Sequence, residues 1–373
     1  MRTNVEHILV VLLTLAVIVA LSARIIPEHF PGMDLHKYRA IADVSPDIAN
    51  DIPRPFAFRL LGPYIVGLLP LETSTGFYVF TVLLSFALLV VVYLFLTALT
   101  VKRRVSLYVT VLYAFNYFLF SYNIWNYFQI ADLLALLCEI VLLWAMLNHR
   151  WGVFAAVLFA GVACRETPLI MVPVALVYIV ERRMMTSEGI KLLMAALPAV
   201  AMFILIRMFI PYEGGMALWE SAQVHIGKFL VPATWFKLLI RSFTPLTFLA
   251  IVFFTDFVDY LRRRKYLVCL FVLVLLSTMF GTDNERLMAP AFVIFYLPLA
   301  FSLQKHLKSD WAYVFLLIVT FGVGYYYMTG QDLLAGIVSE KVVAIVPAAV
   351  LAVVTYLFKL GGEGRLRQLL RSQ

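Results

Sequence analysis

A loop after the first apolar stretch of the chain carries side chains that are suited to acid–base chemistry. Asp34 lies four residues before Tyr38, so the two side chains share one face if the segment is helical. A carboxylate beside a cavity can take a proton from the hydroxyl of an acceptor molecule. Asp34 is therefore our candidate for a general base or a metal ligand, and its alternative role is to cap the N-terminus of a helix.

Two arginines follow in a proline-rich turn of the same loop. Arg54 and Arg59 are five residues apart, and the segment after them is apolar. A guanidinium group binds phosphate through paired hydrogen bonds, so arginines held at the level of the lipid headgroups suit a phosphate ligand. The alternative is that both residues only anchor the chain among the headgroups.

A charged pair, Arg165 and Glu166, interrupts the long apolar stretch of residues 152–180. Basic residues flank this stretch and place both of its ends on the same side of a membrane, which predicts two short helices joined as a hairpin. Charges at such a depth are expensive unless they face protein or a water-filled cavity, so the pair indicates a functional site. A mutual ion pair or a helix cap is the alternative.

A third polar group, Asp283, Asn284, Glu285 and Arg286, lies between two later apolar stretches. Four polar residues in this position can form a simple solvated turn. Arg286 is the least typical of a turn because it lies close to the start of the next helix. We therefore expect Arg286 to contribute to the site, together with its neighbour Asn284.

The elements that must position these residues are strongly apolar. Hydrophobic residues make up 63% of the 373 residues, charged residues only 14%, and the mean hydropathy is +0.93. Many apolar runs approach the ~20 residues that a helix needs to cross a bilayer, and the alternating pattern of a β-barrel is not seen. The sequence predicts an all-α, polytopic transmembrane bundle of about 10–12 membrane segments.

The net charge of +8 fits the positive-inside pattern, because the basic residues form short clusters between apolar runs. The main clusters begin at Lys102, Arg182 and Arg262, and a basic tail covers residues 359–373. Placing them in the cytoplasm predicts an integral plasma (inner) membrane protein with both termini inside. The three polar groups described above then share the extracytoplasmic face.

We expect a single integral membrane domain over residues 1–373, with extracytoplasmic loops at residues 24–73 and 211–235. The first loop should contain a helix next to the membrane, and residues 236–259 should form one returning helix. The sequence has no phosphate-binding glycine-rich loop, no His-Glu-x-x-His, no Cys-x-x-Cys and no nucleophile elbow. Nothing indicates ATP hydrolysis, zinc proteolysis, a redox cofactor or nucleic-acid binding.

Three stretches, in this order and on one predicted side, carry a family resemblance: residues 34–38 with 54–63, residues 165–167, and residues 284–290. Together they resemble the GT-C superfamily of integral membrane glycosyltransferases, which use polyprenyl-phosphate sugars as donors. The resemblance implies a GT-C-like bundle and a catalytic carboxylate at Asp34. It also implies that basic residues such as Arg59 and Arg286 face the donor phosphate.

The implied activity is the transfer of a sugar from polyprenyl phosphate to a glycan, lipid or protein acceptor at the extracytoplasmic face, by a chain in contact with membrane lipids. Many family members have a second acidic residue in the first loop, where this chain has His36. No metal ligand is assigned for this reason, and use of a divalent metal stays open. The residues expected to bind substrate are His36, Tyr38, Arg54, Arg59, Arg165, Glu166, Asn284 and Arg286.

A transporter or lipid flippase is the alternative interpretation. Glu139 lies near the middle of an apolar stretch, and with the interrupted hairpin around Glu166 it would form a site at the bilayer midplane. Transporters often contain internal repeats, and none is detected. The concentration of acids and arginines on the predicted outer side favours an enzyme. A non-catalytic assembly subunit, the third interpretation, would tolerate loss of every residue named.

Overall fold

The computed structural model describes residues 2–30, 33–99, 101–281, 283–329 and 339–362, so most of the predicted basic tail lies outside the described residues. The regular structure in these ranges is helical, with one isolated bridge between Arg54 and Gly215. The all-α prediction is confirmed. Apolar runs that lack the two-residue alternation of a strand explain why the backbone is helical.

The described chain contains nineteen α-helices, numbered in chain order. The first nine are α1 (Arg2–Leu21), α2 (Leu35–Val44), α3 (Leu61–Gly67), α4 (Thr73–Ala98), α5 (Arg103–Ala114), α6 (Tyr122–Trp125), α7 (Ile130–Leu147), α8 (Trp151–Cys164) and α9 (Met171–Glu181). They are followed by α10 (Met185–Phe209), α11 (Leu218–Ile226), α12 (Pro232–Trp235), α13 (Leu249–Val252), α14 (Phe254–Arg262), α15 (Lys265–Ser277), α16 (Asn284–Leu287), α17 (Phe292–His306), α18 (Asp310–Thr329) and α19 (Glu340–Gly362). Short 3₁₀ and π segments connect them: Pro27–His29, Phe56–Phe58, Tyr117–Ser121, Thr167–Ile170, Gly227–Leu230, Phe236–Ile240, Arg241–Phe243, Thr278–Phe280 and Ala289–Ala291.

Five described helices are long and apolar enough to cross a membrane, namely α4, α7, α10, α18 and α19. A sixth candidate consists of α5 and the segment Tyr117–Trp125, which are bent by 72° relative to each other. The prediction of about 10–12 segments also includes shorter apolar helices, which the structure gives as Val5–Leu21, Trp151–Cys164, Thr167–Glu181 and Lys265–Phe280. At 1.5 Å per residue, the last three rise less than the full ~30 Å of a hydrocarbon core, whereas α1 as a whole (Arg2–Leu21, 20 residues) is about that long.

The chain reverses direction between α8 and α9, in agreement with the hairpin expected at residues 152–180. The ring of His149, just before α8, lies 5.9 Å from that of Tyr178 near the end of α9. His149 Nδ1 is also 3.2 Å from the carboxylate of Glu188 at the start of α10. Both outer ends of the hairpin are therefore at one end of the molecule. The helix α8 packs against α7 and α10, and α9 packs against α15 and α10, so protein surrounds the break between them.

The basic clusters share the end of the molecule at which the hairpin begins and finishes, and we call it the basic end. Hydrogen bonds between residues far apart in the sequence connect these clusters. The backbone N–H groups of Lys102 and Lys265 donate to the side chains of Gln304 and Glu181, and Lys305 Nζ donates to Asp256. The opposite end contains the break at Arg165 and Glu166, and we call it the site end. The basic clusters named from the sequence and the candidate site residues therefore lie at opposite ends of the helices.

Asn116 interrupts the span that α5 begins. Its side chain accepts a hydrogen bond from the Leu119 N–H at 3.0 Å, and it donates to the Ser242 carbonyl at 3.1 Å and to the Tyr296 hydroxyl at 3.2 Å. Asn116 is fully buried, so these bonds must replace those to water. They hold the bent segment Tyr117–Trp125 against the chain around Ser242.

Replacing Asn116 with alanine should lower the free energy of unfolding by roughly 1–3 kcal/mol, because buried partners lose their hydrogen bonds. Thermal unfolding of the purified protein in detergent measures the change. The control is Asn148→Ala, which removes an amide that bonds the Trp144 carbonyl at an exposed position and should change Tm little. Equal changes in Tm for the two variants would contradict the anchoring role of Asn116.

Candidate active site

Asp34 precedes the first turn of α2, yet its carboxylate makes no capping hydrogen bond. The structure therefore does not support the alternative role considered from the sequence. One carboxylate oxygen lies 3.3 Å from Lys37 Nζ, and the other lies 4.0 Å from a guanidinium nitrogen of Arg286. The side chain is 28% exposed, so a small molecule can reach it while two cations hold it in position.

Arg286 connects three carboxylates that come from different parts of the chain. Its Nε lies 3.4 Å from Asp132 and 3.3 Å from Asp283, in addition to the contact with Asp34. Asp132, in the first turn of α7, also pairs with Arg165 at the end of α8. Buried charges require such pairing, because removal from water is expensive for each ion alone. We call these five residues the charge cluster.

A second ion pair attaches the proline-rich turn to the break in the hairpin. Arg59 donates from Nη2 to Oε1 of Glu166 at 2.6 Å and from Nε to Oε2 at 3.4 Å, which makes a two-point contact. Its Nη1 donates to the Tyr38 hydroxyl at 3.3 Å. Glu166 and Arg165 thus have different partners, and among the described residues they form no ion pair with each other.

A cavity of about 530 Å³ lies beside the Arg59–Glu166 pair, and we call it the cationic cavity. Four cationic side chains line it, those of Lys37, Arg54, Arg59 and Arg207. Among the described residues, the acidic side chain that lines it is that of Glu166. Part of the wall is apolar and consists of Phe56, Phe58, Met216 and Phe280. Arg54 lies over the ring of Tyr212 at 4.4 Å, which fixes its guanidinium group at the wall. This excess of positive charge suits an anionic group.

The second loop closes the cationic cavity on one side. Its helix α11 packs against the segment Thr278–Phe280, and Lys228 Nζ donates to the carbonyls of Thr278 and Gly281, the latter at 2.6 Å. Burial lowers the pKa of Lys228 to about 8, which reflects how far its amino group is withdrawn from water. The loop is thereby attached to the turn that leads into Asp283.

A second cavity of about 510 Å³ is lined in part by Arg286, and we call it the aromatic cavity. Its rings are those of Phe30, Tyr117, Phe118, Tyr122, Trp125 and Tyr327. Its charged side chains are Lys237, Arg241, Asp283, Glu285 and Arg286. Met33 lines this cavity and Lys37 lines the cationic cavity, so Asp34 lies between the two.

The structure assembles most of the residues expected at the site. Those at the charge cluster or the Arg59–Glu166 pair are Asp34, Tyr38, Arg59, Arg165, Glu166 and Arg286. Arg54 lines the cationic cavity. His36 is exposed on α2 and lines neither cavity. Asn284 is buried, and its Oδ1 has no hydrogen-bond partner among the described residues.

Sequence reasoning did not assign to the site the basic residues Lys37, Arg207, Lys237 and Arg241, nor Asp132 of the charge cluster. Arg207 and Asp132 each lie near the end of a long apolar helix, and an isolated charge in that position was the available signal. An isolated charge in a sequence does not identify the residue with which it pairs in the folded chain.

Arg241 was hidden by a prediction that the structure corrects. Residues 236–259 are not one helix but the separate pieces Phe236–Ile240, Arg241–Phe243, Leu249–Val252 and Phe254–Arg262. Pro245 lacks a backbone N–H and disfavours helical geometry in the residue before it, which explains the interruption. The break places Arg241 at the site end, where it pairs with Glu285 at 3.2 Å.

In the described ranges, no group of three or more His, Cys, Asp or Glu side chains is arranged to hold a metal ion. The carboxylates of the charge cluster converge on the guanidinium of Arg286, which occupies the position that a cation would take. The described residues therefore do not fit a divalent metal at this point.

Comparisons with models of known protein families, with curated proteins and with solved structures found no match for this chain. The fold and the site define the class of protein: an all-helical chain with five or six helices able to span a membrane and a charge cluster between two cavities at one end. A carboxylate between a cationic cavity and a second, polar cavity is suited to acid–base chemistry beside an anionic group.

Removal of the central cation should unbalance the charge cluster. We expect Arg286→Gln to lower stability by about 3–5 kcal/mol, since it leaves carboxylates facing one another without compensation. Adding Asp132→Asn should restore part of the loss, because it removes one of the carboxylates that Arg286 compensates. Thermal unfolding of the two single variants and the double variant measures the coupling. Strictly additive changes would show that Arg286 and Asp132 do not interact.

Proposed function

We propose that this protein is an integral membrane glycosyltransferase of the GT-C type, which transfers a sugar from a polyprenyl-phosphate donor to an acceptor at the extracytoplasmic face. In this proposal the shorter apolar helices complete a bundle of about 10–12 membrane segments around the long ones. The basic end faces the cytoplasm, as the positive-inside rule requires. The observation that carries the proposal is the position of Asp34 between a cationic cavity and a polar, aromatic one.

The donor phosphate binds in the cationic cavity. A polyprenyl phosphate leaves as an anion, so its departure needs positive charge close to the phosphate oxygens more than it needs a strong acid. The cavity offers that charge from Lys37, Arg54, Arg59 and Arg207. Its apolar wall, which includes Phe58 and Phe280, suits the first part of a hydrocarbon chain.

Asp34 accepts the proton of the attacking hydroxyl. As its carboxylate takes that proton, the hydroxyl oxygen bonds to the anomeric carbon of the donor sugar. The bond between that carbon and the phosphate oxygen breaks, and the phosphate keeps the electron pair. Lys37 and Arg286 hold the carboxylate at 3.3 and 4.0 Å, which supports its correct orientation before the substrate arrives.

Asp34→Asn should reduce sugar transfer by about 10²–10⁴-fold, the range that general-base catalysis contributes. The measurement uses purified protein, a panel of labelled polyprenyl-phosphate sugars, and detection of labelled product. The control on the same helix is Asp43→Asn, because exposed Asp43 contacts only Arg39 and Thr73 among the described side chains. Full activity of Asp34→Asn would rule out Asp34 as the base.

The transporter interpretation has one observation in its favour. Both carboxyl oxygens of Glu139 are buried and lack hydrogen-bond partners in the described part of the chain. The adjoining cavity, which Arg165 and Thr167 also line, measures about 30 Å³. This space accepts about one or two water molecules and is too small for a larger solute. Glu139→Gln should therefore leave sugar transfer intact, whereas a transporter would lose solute movement in vesicles.

The proposed orientation makes a separate prediction. In a variant that lacks the native cysteines, a cysteine at exposed His36 should react with an impermeant thiol reagent applied to intact cells. A cysteine at exposed Arg183, beyond α9, should react only after the membrane is opened. The two positions belong to the site end and the basic end, respectively. Equal labelling of both in intact cells would refute the sidedness of the proposed enzyme.

A further inference from the structure

The aromatic cavity has walls that are fixed in place rather than formed by mobile side chains. Three of its rings are at least partly exposed and pack in a row: Phe30 packs edge to face against Trp125 at 5.7 Å, and Tyr122 lies tilted against Trp125 at 5.4 Å between centroids. The backbone that carries Tyr122 and Trp125 is held by the buried hydrogen bonds of Asn116. The three rings therefore form a rigid aromatic wall with faces in different directions, and we call it the platform.

An aromatic face of this kind suits a sugar ring. The π-electrons make the face of the ring electronegative, and it attracts polarised C–H groups, which line one side of many sugar rings. The volume of about 510 Å³ lies within the ~300–1,000 Å³ range of small-molecule sites.

The polar side chains of the cavity offer both hydrogen-bond donors and acceptors. Arg241 lies 3.2 Å from Glu285 and 3.1 Å from Glu340, and its buried Nε has no hydrogen-bond partner among the described residues. Burial raises the pKa of Glu285 although Arg241 opposes this change. Lys237 lines the cavity and forms no ion pair within the described ranges. Hydroxyl groups, which both donate and accept, match such a mixture.

The charges of the two cavities differ in the way that their ligands should differ. In the aromatic cavity, acidic Asp283 and Glu285 offset much of the positive charge, whereas Glu166 is the one acidic residue that lines the cationic cavity in the described part of the chain. An anionic phosphate is therefore favoured in the cationic cavity. A polar but largely uncharged ligand is favoured in the aromatic one.

We infer that the aromatic cavity is the binding site of the acceptor, that the acceptor is a saccharide, and that its ring stacks on the platform of Phe30, Tyr122 and Trp125. This inference rests on the proposed function, because it assigns the second substrate of that reaction. The contacts of Asp34 with Arg286, which lines this cavity, place the base at its edge. A hydroxyl of the bound saccharide can then give its proton to Asp34 and attack the donor sugar.

The test measures saccharide binding without turnover. Saturation-transfer difference NMR of the purified full chain in detergent, with a panel of methyl glycosides of hexoses and pentoses, should give signals for at least one glycoside. Trp125→Leu should reduce that signal at least about fivefold, which is about 1 kcal/mol of binding free energy. The control is Trp219→Leu, because Trp219 is 72% exposed on α11 and lies outside the cavity. Tyr122→Leu provides a second variant if Trp125→Leu does not fold.

Two results would overturn the inference: no signal from any glycoside, or a signal that survives both Trp125→Leu and Tyr122→Leu in folded protein. A different result would contradict the proposed function itself: no transfer from any polyprenyl-phosphate sugar in the assay with labelled donors. In an active preparation, Trp125→Leu should raise KM for the acceptor several-fold and leave KM for the donor unchanged. An equal rise in both values would also contradict an acceptor site.

Discussion

Charges that leave water must meet charges of opposite sign, and this requirement governs the whole site end of the molecule. Arg286 meets it by contacting carboxylates from the first loop, from α7 and from its own turn, and Asp132 extends the cluster to Arg165. Segments far apart in sequence are thus brought to one point. The cluster is at once a structural connection and the surroundings of the candidate base.

The same requirement explains the break in the hairpin. A continuous helix over residues 151–181 would fix the directions of Arg165 and Glu166 at about 100° to each other. Ending α8 at Cys164 lets Arg165 face Asp132 while Glu166 receives the two-point contact of Arg59. The interruption therefore allows one dipeptide to attach two different elements, α7 and the proline-rich turn.

The sequence predicts well the features that local pattern determines. Hydropathy predicts α4, α7 and α10, and the flanking basic residues predict the reversal at 152–180. It predicts poorly the features that depend on distant partners. Asn116 is one polar residue in an apolar run, and its three hydrogen bonds come from the fold. Arg241 and Asp132 join the site only through tertiary packing, whereas His36, adjacent to good candidates, is exposed to solvent.

The difference in charge between the two cavities is more informative than any single residue. Among the described residues, the cationic cavity gathers four cationic side chains around one carboxylate, that of Glu166. Two cavities of similar volume but different charge, separated by Asp34, support the reaction that we propose between an anionic donor and a polyhydroxyl acceptor. The base must reach only the acceptor, while the cations must stabilise only the leaving group, and the separation of the two cavities keeps these tasks apart.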